Sequence, residues 1–137
     1  MSQDLCLAFV RDLQQRDLPS IKNWFTDSSV LWMPPLEPIQ GQRRIIATFR
    51  IIFRKYSDIH WKVSDVYSAK NGRYIFATDS WGTIGKSTPY KNSILTIIDF
   101  DAEGHILFLS DYFKDTAIFN TEKAAPSLPV AVNVSGI

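Results

Sequence analysis

The spacing of apolar residues changes once along this chain, from a helical period to a strand period. Leu5, Phe9, Val10 and Leu13 recur at helical spacing, with Asp4, Arg11, Asp12 and Gln15 on the other side, which predicts an amphipathic helix over residues 3–16. Asp17, Leu18, Pro19 and Ser20 break it. Ile21, Trp24 and Phe25 predict a short second helix with Ser20 as its N-cap. Residues 29–33 read as a short strand. Pro34, Pro35 and Pro38 then exclude a helix or a central strand before Gly41, because proline has no amide proton to give. A third helix is expected over residues 42–56, burying Ile45, Phe49, Ile52, Phe53 and Tyr56. Arg43, Arg44, Arg50, Arg54 and Lys55 lie along its solvated face. From residue 58 the period is two, and residues 60–67, 73–83, 90–100 and 106–113 predict four long strands. Asn71-Gly72 is a hairpin signal, residues 82–89 form a looser connection, and residues 101–104 close the last hairpin. Three helices followed by an antiparallel meander predict an α+β roll, one domain over residues 1–123 with a tail over 124–137.

Alternation sorts each strand into two faces. Ile75, Ala77, Asp79, Trp81 and Thr83 share one on the second strand, Asn92, Ile94, Thr96 and Ile98 on the third, and Leu107, Leu109, Asp111 and Phe113 on the last. Each set is mostly apolar, as a core face is, yet each carries a polar group. A carboxylate in apolar surroundings is costly unless paired or protonated, and Asp in mid-strand opposes β propensity. Asp79 and Asp111 are therefore the candidate catalytic pair. Two carboxyls in a dry pocket repel, so one keeps its proton near neutral pH, giving an acid and a base from one residue type. A strand phase shifted by one residue turns either Asp to solvent instead. Trp81, Ile94, Leu109, Phe113 and Met33 are the candidate apolar lining, with Tyr90 and Asn92 placed to orient a substrate carbonyl. His60, at the start of the first long strand, is either a further acid–base group or a strand-end side chain touching solvent. Trp24, Trp32 and Trp61 read as core or interface, His105 as surface, and Tyr112 and Lys114 as outward-facing. Cys6 reads as a small buried residue.

Composition narrows the class. The chain has 137 residues, 15 Lys+Arg against 14 Asp+Glu, and a formal net charge of +1, which argues against a nucleic-acid partner. One Cys and two His leave no disulfide framework and no likeness to a zinc cluster. The aromatic fraction, 13%, means either a generous core or a core with an apolar hole in it. Charges scattered through the first seventeen residues do not fit a secretory signal, and no apolar run has the ~20 residues of a membrane span. A cytoplasmic protein with no membrane partner is the expectation, and the Asn133-Val134-Ser135 sequon is read as chance.

Three segments carry a family resemblance: Trp32-Met-Pro-Pro-Leu-Glu-Pro-Ile-Gln-Gly41, Tyr90-Lys-Asn-Ser-Ile-Leu95 and Leu109-Ser-Asp-Tyr-Phe-Lys-Asp-Thr116. With the three helices and four strands they resemble the NTF2-like fold, a cone-shaped roll with its helices packed on a curved antiparallel sheet. Within it they resemble the SnoaL-like group of polyketide cyclases, ketosteroid isomerases and limonene epoxide hydrolases. The first and last segments are similar to small fungal enzymes of secondary metabolism. Asp111 matches the Asp of the epoxide hydrolases' Asp-Tyr-Phe motif, and Asp79 falls at their second catalytic Asp. Ala77 stands where those enzymes carry a bridging Arg, and Leu31 and Met33 stand where they hold water with Tyr and Asn. The resemblance thus implies a cofactor-independent cyclase or isomerase acting on a hydrophobic polycyclic, polyketide, terpenoid or alkaloid intermediate, in a homodimer. An epoxide hydrolase or epoxide-opening cyclase is one alternative, and a non-catalytic ligand-binding or dimeric adaptor module is another.

Overall fold

The computed structural model describes residues 2–117 and 119. The predicted tail over 124–137 lies outside the described residues. Three helices, α1 (Ser2–Gln14), α2 (Leu18–Lys22) and α3 (Gln42–Lys55), accompany six strands: β1 (Phe25–Trp32), β2 (Ile39–Gln40), β3 (Tyr56–Ser68), β4 (Arg73–Ile84), β5 (Thr88–Phe100) and β6 (Ile106–Phe113). The strands form one curved sheet in the order β2-β1-β6-β5-β4-β3. This is the α+β roll expected from the change of period.

The meander β3 to β6 is antiparallel throughout. Its first turn is built by Asn71 and Gly72, both at positive φ (60° and 77°), as a tight hairpin with the sheet's own twist requires. β1 returns to pair in parallel with β6, which brings the N-terminal half of the chain alongside its last strand. β2 has two residues and sits at the sheet edge, where the neighbouring prolines do no harm. α2 is capped differently from the expectation. Asp17 is the N-cap, accepting the Ser20 N–H (3.2 Å) and hydroxyl (2.7 Å), so the helix starts earlier and ends at Lys22. Trp24 is thereby freed from the helix, and Phe25 opens β1 four residues before the predicted strand.

Phe9, Ile21, Phe25, Leu31, Ile45, Ile98 and Ile106 are fully buried between the helices and the sheet. Each contributes roughly 1.5–3 kcal/mol of burial energy. Phe9 meets both Trp24 and Phe25 edge-on, at 5.6 and 5.9 Å between ring centres. Cys6 is buried as expected, and burial pushes its thiol up to about 11, far from the range of a nucleophile. No helix among the described residues is long and apolar enough to cross a membrane.

β3 carries irregularities between Tyr56 and Asp58 and between Val63 and Val66. Extra residues on one strand increase local bend and twist, which curls this long strand over the helices. At the first of them Gly82 of β4 lies so close that a Cβ there would strike the Asp58 carbonyl.

Candidate active site

The inner face of the sheet is set by register. On β5, Asn92, Ile94, Thr96 and Ile98 are buried, as alternation predicts. On β6, Leu109 is buried and Asp111 and Phe113 are part-buried on the same side. Leu107 does not join them. The pairing slips between Asp99 and Phe100, and Leu107 is left 40% exposed.

On β4 the predicted phase is overturned. Phe76, Thr78 and Ser80 are buried and stand opposite Thr96, Ile94 and Asn92. Ala77, Asp79 and Trp81 are exposed on the outer side. Between residues 75 and 81 the outer positions hold Ile75, Ala77 and Trp81 and the inner ones only Phe76 as an apolar residue, so counting hydrophobicity there selects the wrong face. Asp79 accepts a hydrogen bond from the Ser93 hydroxyl at 3.1 Å and stands opposite Lys62. It is not in a pocket, and the two-carboxylate pair is not assembled.

Three further candidates leave with it. Trp81 is 44% exposed and stacks on His60 at 5.4 Å between rings, outside the roll. His60 Nε2 lies 3.1 Å from the Asp58 carboxylate there. Asn92 is buried on the inner face, but its carboxamide is bonded to the backbone of Asp115 and Ser93 and does not line the cavity.

The remaining candidates converge. A cavity of about 200 Å³ opens between α3 and the sheet, and Met33, Tyr90, Ile94, Asp111 and Phe113 all line it. A smaller recess of about 40 Å³ continues past Asp111, bordered by Leu109, Phe76 and Thr96. Sequence reasoning missed Leu31, Phe49, Ile52, Trp61 and Phe119 as lining residues. Trp61 was readable. Ile59, Trp61 and Val63 alternate, and Trp61 and Val63 stand opposite the inward Ser80 and Thr78. The helical contributors were not readable, because a residue facing a cavity and one facing the core share the same stripe.

Among the described residues, Asp111 is the one carboxylate lining the cavity. Thr96, its direct partner across β5 and β6, donates its hydroxyl to Asp111 Oδ1 at 2.6 Å. That bond fixes the carboxyl rotamer and leaves Oδ2 as the oxygen available to a bound molecule. Burial pushes the Asp111 carboxyl up from 3.8 to about 6, against the pull of the Thr96 hydrogen bond, which favours the charged form. Burial also raises the Tyr90 phenol above its ordinary range, and the negative charge of Asp111 adds to the rise. The site therefore holds a carboxyl that takes and gives a proton near neutrality beside a phenol that stays protonated. Removing the hydroxyl with Thr96→Val leaves desolvation unopposed, so the midpoint of Asp111 is expected to move above 6. A carbon-13 NMR titration of the carboxyl reads this directly, and an unmoved or lowered midpoint refutes it.

A larger, open groove of about 410 Å³ runs between the first two helices and the β5–β6 turn, lined by Asp12, Trp24, Glu103 and His105 among others. Its polar walls are partly engaged with one another. Trp24 Nε1–H donates to Asp12 at 2.8 Å, and His105 Nδ1 lies 3.7 Å from both Asp101 and Glu103. Shallow and predominantly polar, it lacks the enclosed apolar wall of the Asp111 cavity, which is the better candidate for chemistry.

Comparison with known proteins agrees with this architecture. Among solved structures, an LEH-like epoxide hydrolase of M. tuberculosis superposes with a TM-score of 0.73 at 19% identity, covering 87% of this chain and 86% of that one. SalBIII, an epoxide hydrolase/cyclase-like enzyme in pyran ring formation in the polyether salinomycin, superposes with a TM-score of 0.76 at 12% identity, covering 84% and 92%. AusH from Aspergillus nidulans gives 0.73 at 14% identity, covering 84% of each chain. At such identities the likeness is one of fold. No curated protein sequence matches the chain. The family model for the SnoaL-like domain matches residues 7–108, and with the NTF2-like roll described above this chain belongs to the SnoaL-like family.

Proposed function

We propose that this chain is a cofactor-independent cyclase or isomerase in which Asp111 is the single acid–base carboxylate. The observation that supports this is the one carboxyl among the described residues lining a predominantly apolar cavity, with one oxygen held by Thr96 and burial pushing the group up to about 6. In its charged form Oδ2 removes a proton from carbon or oxygen of the substrate, and in its protonated form the same group returns it elsewhere. The Tyr90 phenol donates a hydrogen bond to an oxygen on which negative charge develops. The apolar walls exclude water and hold the substrate folded for reaction, which suits a hydrophobic polycyclic or polyketide-, terpenoid- or alkaloid-derived intermediate.

A second reading is favoured by the same single carboxyl. Protonated Asp111 can donate to an epoxide oxygen while a nucleophile within the substrate closes a ring. Hydrolysis of the epoxide is less well served, since the described residues lining the cavity include no second carboxylate to activate water. Incubating candidate substrates in heavy-oxygen water separates the readings. Isomerisation and ring closure leave the mass unchanged, whereas hydrolysis adds the mass of one water and incorporates label. Binding without any product across both substrate types would instead support a ligand-binding module.

Assembly as a homodimer through the outer sheet face belongs to the same proposal. Tyr67, Trp81, Leu95 and Tyr112 are exposed there at 62%, 44%, 45% and 41%. Leu95 pairs directly with Ala77 on one side and Tyr112 on the other, so the patch is continuous across three strands. Leu95→Asp is expected to convert a dimer to a monomer in sedimentation equilibrium. A wild type that sediments as a monomer, or a variant that stays dimeric, counts against it.

A further inference from the structure

The segment after β6 is held by a side chain. Past Phe113 the Lys114 N–H donates to the Ser93 carbonyl at 2.9 Å. At the next residue Asn92 takes the place of a backbone. Its Nδ2 donates to the Asp115 carbonyl at 2.9 Å, and its Oδ1 accepts the Asp115 N–H at 3.1 Å and the Ser93 N–H at 2.9 Å. A carboxamide offers the same donor and acceptor as a peptide group, so Asn92 adds one more rung beyond the end of the ladder. It is 7% exposed, which shields those bonds from water. The chain then turns. Asp115 Oδ1 accepts the Ala117 N–H at 2.9 Å, and the Phe119 N–H reaches the Thr116 carbonyl at 3.0 Å. The turn delivers the Phe119 ring edge-on to Phe113, 5.3 Å between centres, where it forms part of the wall of the Asp111 cavity.

We propose that Phe119 contacts the substrate and sets the largest size the cavity admits, and that Asn92 is the positioning residue that holds Phe119 there. The inference rests on the reading of this cavity as the substrate site. An aromatic pair closing one wall favours a flat, apolar ring system over a branched aliphatic one, because ring faces and edges stack with little loss of conformational freedom. It also explains an inner-face Asn, just beyond the last β5–β6 pair, that does not touch the cavity itself.

The test uses the full chain and two fluorescent probes of different size, naphthol and pyrene, with affinities measured by titration. In Phe119→Ala the preference for naphthol over pyrene is expected to fall about tenfold, as size selection in an apolar pocket does when a wall is removed. Asn92→Ala should fall in the same direction, and the double variant should match Phe119→Ala alone, because both changes remove one device. Asn92→Ser keeps a short uncharged hydroxyl and loses the reach to Asp115, so it should show a fall no larger than that of Asn92→Ala; it carries the test if Asn92→Ala does not fold. Additive effects in the double variant, or a lower melting temperature in the Asn92 variants with the preference unmoved, would overturn the positioning role. Ile94→Ala, elsewhere in the wall, tells the two levels apart. If it changes probe affinity while Phe119→Ala does not move the preference, the cavity reading stands and the Phe119 proposal is wrong. If neither does anything, the probes do not enter the cavity and both fall.

Discussion

Asp111→Asn is expected to lose turnover by about a thousandfold while gaining stability above pH 6, a combination that a merely structural aspartate would not show. The amide keeps the acceptor that Thr96 uses, so the inner face stays assembled. It can neither take a proton nor give one at neutral pH. The stability change follows from the raised midpoint. Between 3.8 and about 6 the folded chain binds a proton at Asp111 that the unfolded chain has released. The favourable contribution is therefore full below pH 4 and is lost as the pH rises through 6, because the charge must then be carried in an apolar wall. The variant escapes that loss. Its advantage above pH 6 is about 2 kcal/mol, after discounting for the part of Asp111 that still faces the cavity, and it vanishes below pH 4. Urea denaturation at pH 4 and pH 7.5 (about one unit or more beyond the midpoint on the alkaline side) reads the stability, and product formation reads the chemistry. Asp79→Asn, on the outer face, is the matched control and should leave turnover within about twofold. Full activity in Asp111→Asn would take Asp111 out of the chemistry, and loss of activity in Asp79→Asn would return the catalytic role to the pair suggested by the sequence.

The second large effect is structural. Gly82→Ala should destabilise the fold by about 3 kcal/mol, because the new methyl group meets the Asp58 carbonyl and the Ile59 Cα. Both are backbone atoms, fixed by the ladder between β3 and β4, and cannot rotate away as a side-chain tip can. Relief requires the bulge near Asp58 to open, which unseats Ile59 and Tyr56 at the cavity edge. A drop of roughly 10 °C in melting temperature is the expected reading in calorimetry. A variant as stable as the parent would show that the close approach relaxes without cost.

Much was settled by residue pattern alone. The helical stripes of α1 and α3, the Asn71-Gly72 turn and the period-two runs of β5 and β6 depend on neighbours a few residues away, which is why the elements and the α+β roll were legible. Asp111, Ile94, Tyr90, Phe113 and Met33 were legible as well, since the faces of β5 and most of β6 follow from their own alternation. Alternation, however, gives two faces and does not say which is inside. In the middle of β4 the outer positions carry Ile75, Ala77 and Trp81 beside Leu95 while the inner ones carry Thr78 and Ser80, and only the pairing of Thr78 with Ile94 and of Ser80 with Asn92 decides that Asp79 and Trp81 look outward. Asn92 likewise was an inward polar residue by pattern, while its bonds to Asp115 exist because two segments 23 residues apart are brought together. The sequence by itself determined that this chain is an α+β roll with Asp111 on an inner face. The tertiary structure alone decided that Asp111 stands in its cavity without Asp79, because which face of a strand is buried is fixed by its neighbours in the sheet and not by the strand.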